Sequence, residues 1–222
     1  IYMHNSIQKY KDIISAIDRK VEEQKINLKP KVIAVSKTFK LETILPLIDY
    51  GHLDYGENKV QEAVDKWSEI KLIKQNIKLH LIGTLQTNKV KHAIKIFDYI
   101  HSVDSMKLAQ KIADEQYKQK KNLKLFIQVN IGDEEQKSGV NVDQIDDLIT
   151  FSKKLNLNIV GLMCIPPVNK EPDKYFKEIK DLNNKFNLPE ISMGMSSDYL
   201  KAVENSSTYL RIGSSIFGLR NQ

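Results

Sequence analysis

The chain contains 222 residues, of which 41% are hydrophobic and 28% are charged, a composition typical of a globular protein with a sizeable core. It has no stretch of about 18 apolar residues, and its amphipathic N-terminal segment lacks the apolar centre of a signal peptide, so we expect no membrane association. The net charge of +6 raises nucleic acid as a partner, but the lysines are spread over helix-like segments among 28 acidic residues, so we expect no nucleic-acid binding.

The only cysteine, Cys164, excludes an internal disulfide and predicts a cytoplasmic protein.

The first predicted element is an amphipathic helix at residues 3–27, whose apolar residues recur at spacings of three and four. After Pro30, short β-rich segments alternate with helical patterns. The predicted strands are Lys31–Val35, 53–55, 79–82, 99–102, Lys124–Val129, 159–163, Glu190–Ser192 and Tyr209–Ile212. The predicted helices are 41–50, Val60–Ile73, 88–97, 105–119, 142–155, 173–186, 197–205 and a short closing segment through Phe217.

This regular alternation favours parallel strands joined by right-handed crossovers. Eight such units predict an α/β fold, a single (β/α)8 TIM barrel with an extra N-terminal helix, in which residues 1–222 form one domain. A doubly wound open sheet is the alternative, although it would normally use fewer strands.

Lys37 directly follows the first predicted strand, and functional groups of such barrels gather at the C-terminal ends of the strands. Burial at such a position lowers the pKa of a lysine amine and makes it a nucleophile able to form a Schiff base. The alternative is a strand-end lysine whose amine reaches back to water.

The segments after the seventh and eighth predicted strands have the character of an anion site. They read Met-Gly-Met-Ser-Ser at 193–197 and Ile-Gly-Ser-Ser at 212–215. Glycine permits close approach of the backbone, and hydroxyls and amides at helix starts donate to anions. Glycine–serine pairs are also ordinary turn residues, but two of them at neighbouring strand ends predict a phosphate site.

Arg211, in the last predicted strand, is one of only three arginines among 34 basic residues. Its permanently charged, planar guanidinium suits a phosphate, a carboxylate or a heteroaromatic nitrogen. The alternative is a structural salt bridge to Asp104 or Glu57. His80 and His101 also fall within predicted strands, and we interpret them as core or supporting residues rather than catalytic ones.

Segments along nearly the whole chain carry a family resemblance. They are residues 34–38, 56–58 with 61–62, 80–89, 129–131 with 137–139, 161–163, 192–196 and 211–218, of which the last two are the most specific. Found together and in this order, they indicate that the chain resembles the YggS/PROSC family of pyridoxal 5′-phosphate-binding proteins, the pyridoxal phosphate homeostasis proteins.

The resemblance implies a fold-type III barrel like the N-terminal domain of alanine racemase, with pyridoxal 5′-phosphate as its cofactor. It implies seven cofactor-binding residues: Lys37, Asn58, Met195, Ser196, Arg211, Gly213 and Ser214. Lys37 would form the internal aldimine, and Asn58 and Met195 would line the ring. The phosphate would be held by Ser196, Gly213 and Ser214. Arg211 would face the pyridine nitrogen, keep it unprotonated and weaken the cofactor as an electron sink.

The resemblance further implies a role in intracellular vitamin B6 homeostasis, with the cofactor bound but without robust catalysis. We expect a monomer that releases the cofactor to dependent apoenzymes. The sequence ends four residues after Gly218, so we expect no β domain of the kind that racemases and decarboxylases of this fold add. A racemase needs an acid/base group on each face of the substrate carbon, and only Lys37 is evident. The alternatives are a small cofactor-dependent racemase or lyase, and a Schiff-base aldolase without a cofactor.

Overall fold

Eight parallel strands close into a barrel within residues 4–136 and 138–218, which are the residues that this computed structural model describes. Each strand pairs with its neighbours in the chain, and the last strand pairs with the first. The strands are β1 (Lys31–Val35), β2 (Asp54–Glu57), β3 (Lys78–Leu81), β4 (Tyr99–Val103), β5 (Lys124–Val129), β6 (Ile159–Cys164), β7 (Glu190–Ser192) and β8 (Tyr209–Ile212).

Helices follow the strands, and one additional helix precedes them. They are α1 (Asn5–Glu23), α2 (Leu41–Asp49), α3 (Val60–Ile73), α4 (Val90–Ile96), α5 (Met106–Gln119), α6 (Ile145–Lys154), α7 (Pro172–Lys185), α8 (Tyr199–Glu204) and α9 (Ser214–Phe217). Single 3₁₀ turns at Thr87–Lys89 and Val142–Gln144 lead into α4 and α6. The predicted (β/α)8 barrel with an extra N-terminal helix is confirmed, and an open sheet is wrong because β1 pairs with β8.

Strand β2 extends two residues further than the sequence pattern predicts. The apolar signal fades at Gly56 and Glu57, but both residues are buried and pair with β3. Glu57 tolerates burial because side chains of neighbouring segments hydrogen-bond its carboxylate, as described below. The pattern of apolar residues therefore missed the end of β2, which is held by pairing with β3 and by hydrogen bonds to Glu57.

The barrel interior is filled by side chains rather than open. A cluster of buried residues inside it includes the rings of Tyr99, Phe126 and Tyr209. His80 stacks on Tyr99 with ring centroids 4.2 Å apart, and His101 stacks on Phe126 at 4.3 Å. A packed interior is usual for this fold, and it leaves the strand ends as the place for a ligand.

A second apolar layer lies between the strands and the surrounding helices, and α1 joins it at one end. Ile13 and Ile17 of α1 are buried, and Lys20 forms an ion pair of 2.9 Å with Glu204 of α8. This contact ties the extra helix to the last part of the barrel. Among the described residues, every helix is either too short or too polar to span a lipid bilayer.

Asn183 provides a test of how α7 is held against the barrel. Its side chain is buried, accepts a hydrogen bond from the Leu162 amide at 3.0 Å and donates to the Leu188 carbonyl at 2.7 Å. We expect Asn183→Ala to lower the free energy of unfolding by about 2–4 kcal/mol, because it leaves the Leu162 amide and the Leu188 carbonyl without these hydrogen-bond partners. Denaturant unfolding measures this loss.

The matched control is Asn184→Ala, one residue along α7, where the side chain is exposed. Its free energy of unfolding should stay within about 0.5 kcal/mol of the parent value. Equal effects of the two substitutions would show that the buried hydrogen bonds do not hold α7.

Candidate functional site

The C-terminal ends of the strands surround a cavity of about 380 Å³. All seven residues predicted to bind a cofactor line it: Lys37, Asn58, Met195, Ser196, Arg211, Gly213 and Ser214. Val35, Phe39, Ile82 and Ile165 contribute apolar surface to the same cavity. The structure thus brings together residues from both ends of the chain in a space sized for a small molecule.

Lys37 is half-buried, and the residues on either side of it are fixed to neighbouring elements. The Ser36 hydroxyl donates to Glu57 Oε1 at 2.7 Å, and the Thr38 amide donates to Glu62 of α3. Thr38 has a φ of +68°, a conformation that β-branched residues rarely adopt. The amine is therefore presented from a short segment whose two flanks are held by carboxylates.

Lys66 joins these two carboxylates into one cluster. Its Nζ lies 2.9 Å from Glu57 Oε1 and 2.9 Å from Glu62 Oε1, and it donates to the Ser36 carbonyl at 2.8 Å. The Trp67 indole N–H donates to Glu57 at 2.9 Å. Burial opposes ionisation of Glu62, but the hydrogen bonds from Lys66 and Thr38 lower the pKa of its carboxyl. A charged, hydrogen-bonded cluster thus supports the cavity from behind β1 and β2.

Sequence reasoning missed this supporting cluster. Glu57 was considered only as a salt-bridge partner of Arg211, Glu62 occurred in the segments that carry the family resemblance without a role, and Lys66 was one of many helix lysines. The signal that could have found it is the spacing of Glu62 and Lys66, which places them on the same face of a helix directly after a buried acidic residue.

The loop after β7 is shaped by Gly194 and Asp198. Gly194 has a φ of +93°, and a Cβ there would lie 2.5 Å from the Cβ of Ala202. The Asp198 carboxylate accepts from the Met195 amide at 2.6 Å. In the part of the chain that the structure describes, the amides of Ser196 and Ser197 donate to no protein acceptor. They are therefore available to a ligand.

The loop after β8 interlocks with the β7 loop and with β1. The Ser215 amide donates to Ser196 Oγ at 3.3 Å. A Cβ at Gly213 would lie 3.2 Å from both the Cβ and the carbonyl oxygen of Val35, so only a small residue lets β8 and β1 approach this closely. Hydroxyls and amides from two loops consequently converge on one side of the cavity, and such groups fit a phosphate.

Arg211 is 4% exposed and lines the same cavity as Lys37 and the two loops. Its Nη1 donates to Ser192 Oγ at 2.7 Å and its Nη2 to the Cys164 carbonyl at 2.8 Å. The alternative salt bridge to Asp104 or Glu57 is wrong for the described residues, because no ion pair of Arg211 is present and Glu57 pairs with a lysine of α3. A guanidinium carries five N–H groups, so donors beyond these two bonds can serve a ligand.

Other titratable groups near the cavity are shifted by burial. Burial raises the pKa of the Cys164 thiol to about 12 and raises that of the Asp104 carboxyl above its usual value. At neutral pH Cys164 is therefore a neutral core side chain rather than a nucleophile.

Ser138 and Gly139, from the Lys-Ser-Gly motif at 137–139, lie in the segment after β5. Ser138 Oγ is 3.1 Å from Thr84 Oγ1, and Gly139 has a φ of +120°. Lys137 lies outside the described residues.

Comparison with known proteins gives the context for this geometry. The sequence model of the alanine racemase N-terminal domain family matches residues 14–221. A pyridoxal phosphate homeostasis protein of Aquifex aeolicus is 36% identical over 200 residues, covering 86% of this chain and 87% of the relative. Its counterpart in Escherichia coli K12 is 34% identical over 200 residues, covering 86% of each chain.

Solved structures agree with the sequence relatives. The structure of PipY from Synechococcus elongatus with PLP bound has a TM-score of 0.78 and 31% identity, covering 91% of this chain and 100% of PipY. An alanine racemase of Clostridium difficile has a TM-score of 0.72 at 14% identity, covering 98% of this chain and 57% of the racemase. The second likeness shows a shared fold alone.

The cluster behind Lys37 predicts a large effect of Lys66→Met. The Lys66 side chain is 9% exposed and that of Glu57 is fully buried, so removing the cation leaves a buried carboxylate without its charge partner. We expect the free energy of unfolding to fall by about 3–5 kcal/mol, as measured by denaturant titration.

Lys59→Met is the matched control, since Lys59 is an exposed lysine at the start of the same helix. It should change the free energy of unfolding by no more than about 0.5 kcal/mol. A similarly small effect of Lys66→Met would mean that the cluster does not stabilise the segment carrying Lys37.

Proposed function

Because this chain belongs to the family of pyridoxal phosphate homeostasis proteins, which shares the alanine racemase N-terminal domain, we propose that it binds pyridoxal 5′-phosphate at the barrel mouth and serves vitamin B6 homeostasis. The proposed ligands are the seven residues that line the cavity: Lys37, Asn58, Met195, Ser196, Arg211, Gly213 and Ser214.

One observation supports this proposal most strongly. One cavity of about 380 Å³ is lined by an amine, by hydroxyls and amides of two loops, and by a buried guanidinium. Pyridoxal 5′-phosphate supplies an aldehyde that reacts with amines, together with a phosphate and a pyridine nitrogen. Lys37 would hold the aldehyde, the loops after β7 and β8 would bind the phosphate, and Arg211 would donate to the ring nitrogen.

Arg211 also bears on the chemistry that the residues permit. A guanidinium only donates hydrogen bonds and stays charged, so the ring nitrogen beside it has no acid to take a proton from. Lys37 and Arg211 are the ionisable side chains among the described residues that line the cavity. A racemase needs an acid/base group on both faces of its substrate, so this lining favours holding the cofactor over turning over an amino acid.

We further propose that the protein is a cytoplasmic monomer that passes the cofactor to apoenzymes. All seven residues proposed to bind the cofactor line one cavity of this chain, so the proposed ligand set needs no residue from a second copy. The cavity is also open at the barrel mouth, where a recipient could approach. The single buried cysteine is compatible with a reducing compartment.

Lys37→Ala tests the covalent part of this function. The parent protein, mixed with pyridoxal 5′-phosphate, should develop the visible absorbance band of lysine-bound cofactor, and borohydride should fix the cofactor to a peptide containing Lys37. Lys37→Ala should lose both signals because its side chain carries no amine. Absorbance and peptide mass spectrometry measure the result.

Lys40→Ala is the control, since Lys40 is an exposed lysine three residues further along. It should keep both signals. A band that persists in Lys37→Ala would refute the proposed anchor. Rapid exchange of an amino acid α-proton with deuterated solvent in the parent protein would instead favour the racemase alternative.

Gly194→Ala tests the phosphate loop. An alanine there would be strained by the positive φ and would collide with Ala202, so the loop after β7 must move. We expect the dissociation constant for pyridoxal 5′-phosphate to rise at least about tenfold, equivalent to about 1.4 kcal/mol. A titration followed by absorbance measures it.

Gly51→Ala controls for the loss of glycine at a positive φ. Gly51 has a φ of +103°, a Cβ there would meet nothing within 4 Å, and the residue does not line the cavity. This variant should share the backbone strain but keep its cofactor affinity. Equal weakening in both variants would show that strain alone, rather than loop position, causes the loss.

A further inference from the structure

A continuous chain of hydrogen-bonded side chains crosses the barrel interior and ends at the proposed cofactor site. Arg211 Nη1 lies 2.7 Å from Ser192 Oγ, which lies 2.8 Å from His101 Nδ1. His101 Nε2 lies 3.0 Å from His80 Nδ1. His80 Nε2 lies 2.8 Å from Asp54 Oδ1. Five side chains from five different strands are therefore joined without a gap.

This hydrogen-bonded chain of side chains is shielded from water along most of its length. His80, His101 and Ser192 are fully buried, and the two imidazoles stack on the rings of Tyr99 and Phe126. The step from β4 to β7 crosses the barrel rather than following neighbouring strands. Hydrogen bonds in such a low-dielectric interior polarise one another and are costly to break.

The two end members of this hydrogen-bonded chain, Arg211 and Asp54, fix the direction of every hydrogen bond in it. Arg211 can only donate and an ionised Asp54 can only accept. Ser192 therefore accepts from Arg211 and donates to His101 Nδ1, and each histidine carries its single proton on Nε2. The opposite direction would require either a protonated Asp54 or a doubly protonated His80.

The surroundings of these groups favour the first direction. Burial opposes ionisation of Asp54, but the hydrogen bond from His80 and the charge of Lys31 lower the pKa of its carboxyl. Burial lowers the pKa of His80, and burial with the nearby Arg211 charge lowers that of His101 strongly. A charged carboxylate and two neutral imidazoles are the resulting states.

Within the described residues, the buried Arg211 guanidinium has no ion pair. Burial lowers the pKa of Arg211, and the charge of Asp198 in the β7 loop opposes that shift. The hydrogen bonds of Arg211 lead to a different carboxylate, Asp54, at the opposite end of the barrel. Asp54 is 19% exposed and lines an open groove of about 850 Å³ between α1 and the first two strands. The carboxylate at the far end of the hydrogen-bonded chain thus lies near solvent, while the guanidinium faces the cavity.

We propose that Ser192, His101 and His80 are positioning residues, which hold the plane of the Arg211 guanidinium against the cofactor ring and connect its charge to Asp54. The cofactor part of this inference rests on the proposed function. The proton positions within the chain do not, and they can be measured without any ligand.

The first test is nitrogen NMR of the ligand-free protein labelled at its five histidines. We expect His80 and His101 to be neutral at neutral pH and protonated on Nε2. In Ser192→Ala, the Nδ1 resonance of His101 should shift because its hydroxyl donor is gone. A doubly protonated His80, an Nδ1-protonated His101, or an unchanged His101 resonance in this variant would overturn the proposal.

Ser102→Ala is the matched control. Ser102 neighbours His101 on β4 and is 1% exposed, but its hydroxyl has no hydrogen-bond partner among the described residues. This variant should leave the Nδ1 and Nε2 resonances of both histidines in place. Like Ser192→Ala, it removes one buried serine hydroxyl from a barrel strand, but that hydroxyl is not part of the hydrogen-bonded chain.

The second test measures the effect on the cofactor. Ser192→Ala should weaken pyridoxal 5′-phosphate binding about tenfold and shift the visible band of the bound cofactor, because Arg211 loses one of its two fixed contacts. Ser102→Ala should change neither. Asp54→Asn, which keeps an acceptor for His80 but removes the charge, should shift the band in the same direction as Ser192→Ala.

The two tests separate the possible failures. If the parent protein binds no pyridoxal 5′-phosphate, the proposed function fails. The histidine resonances still decide whether the hydrogen-bonded chain has the proposed proton positions. If the parent binds the cofactor and Ser192→Ala keeps the same affinity and the same band, the positioning role is overturned. A variant that merely unfolds is recognised by its circular dichroism, and Asp54→Asn then decides the question through the band.

Discussion

The pairing of the first strand with the last determines where the candidate site forms. Ile33 of β1 lies opposite Arg211 of β8, and Ala34 lies opposite Ile212. This register places the segment carrying Lys37 beside the loop that begins at Gly213. The amine and the anion-binding loop come from opposite ends of the sequence, so neither is part of a site until the barrel closes.

Closure alone would leave the polar residues of the mouth poorly oriented, and two networks of different kinds support them. Outside the barrel wall, Lys66 pairs with Glu57 and Glu62, and the two carboxylates accept hydrogen bonds from Ser36 and Thr38 on either side of Lys37. Inside it, Arg211 is held by neutral groups that lead to a distant carboxylate. The carboxylate of a direct ion pair to Arg211 would occupy donors that a ligand in the cavity requires.

Sequence periodicity was sufficient for the barrel because the pattern of alternating strands and helices is local. The strand ends then predicted which segments meet at the mouth, and the family resemblance named seven residues within them. The structure places all seven around one cavity. The polar networks could not be predicted in this way. His101 and Ser192 are 91 residues apart in sequence, and nothing near either residue indicates the other. The salt bridge considered for Arg211 was wrong for the same reason, since composition cannot distinguish a serine from a carboxylate as its partner.

The neutral imidazoles give the interior a dependence on pH with a defined sign. Burial lowers the pKa of both His80 and His101 below the value of about 6.5 for an exposed histidine. The unfolded chain therefore binds protons that the folded chain excludes, and stability present at neutral pH is lost as pH falls below that value. Protonation of either histidine would also turn its Nδ1 from a hydrogen-bond acceptor into a donor, within the hydrogen-bonded chain that ends at Arg211. The same groups that hold the guanidinium thus make its orientation sensitive to acid, which links retention of the proposed cofactor to the integrity of the barrel interior.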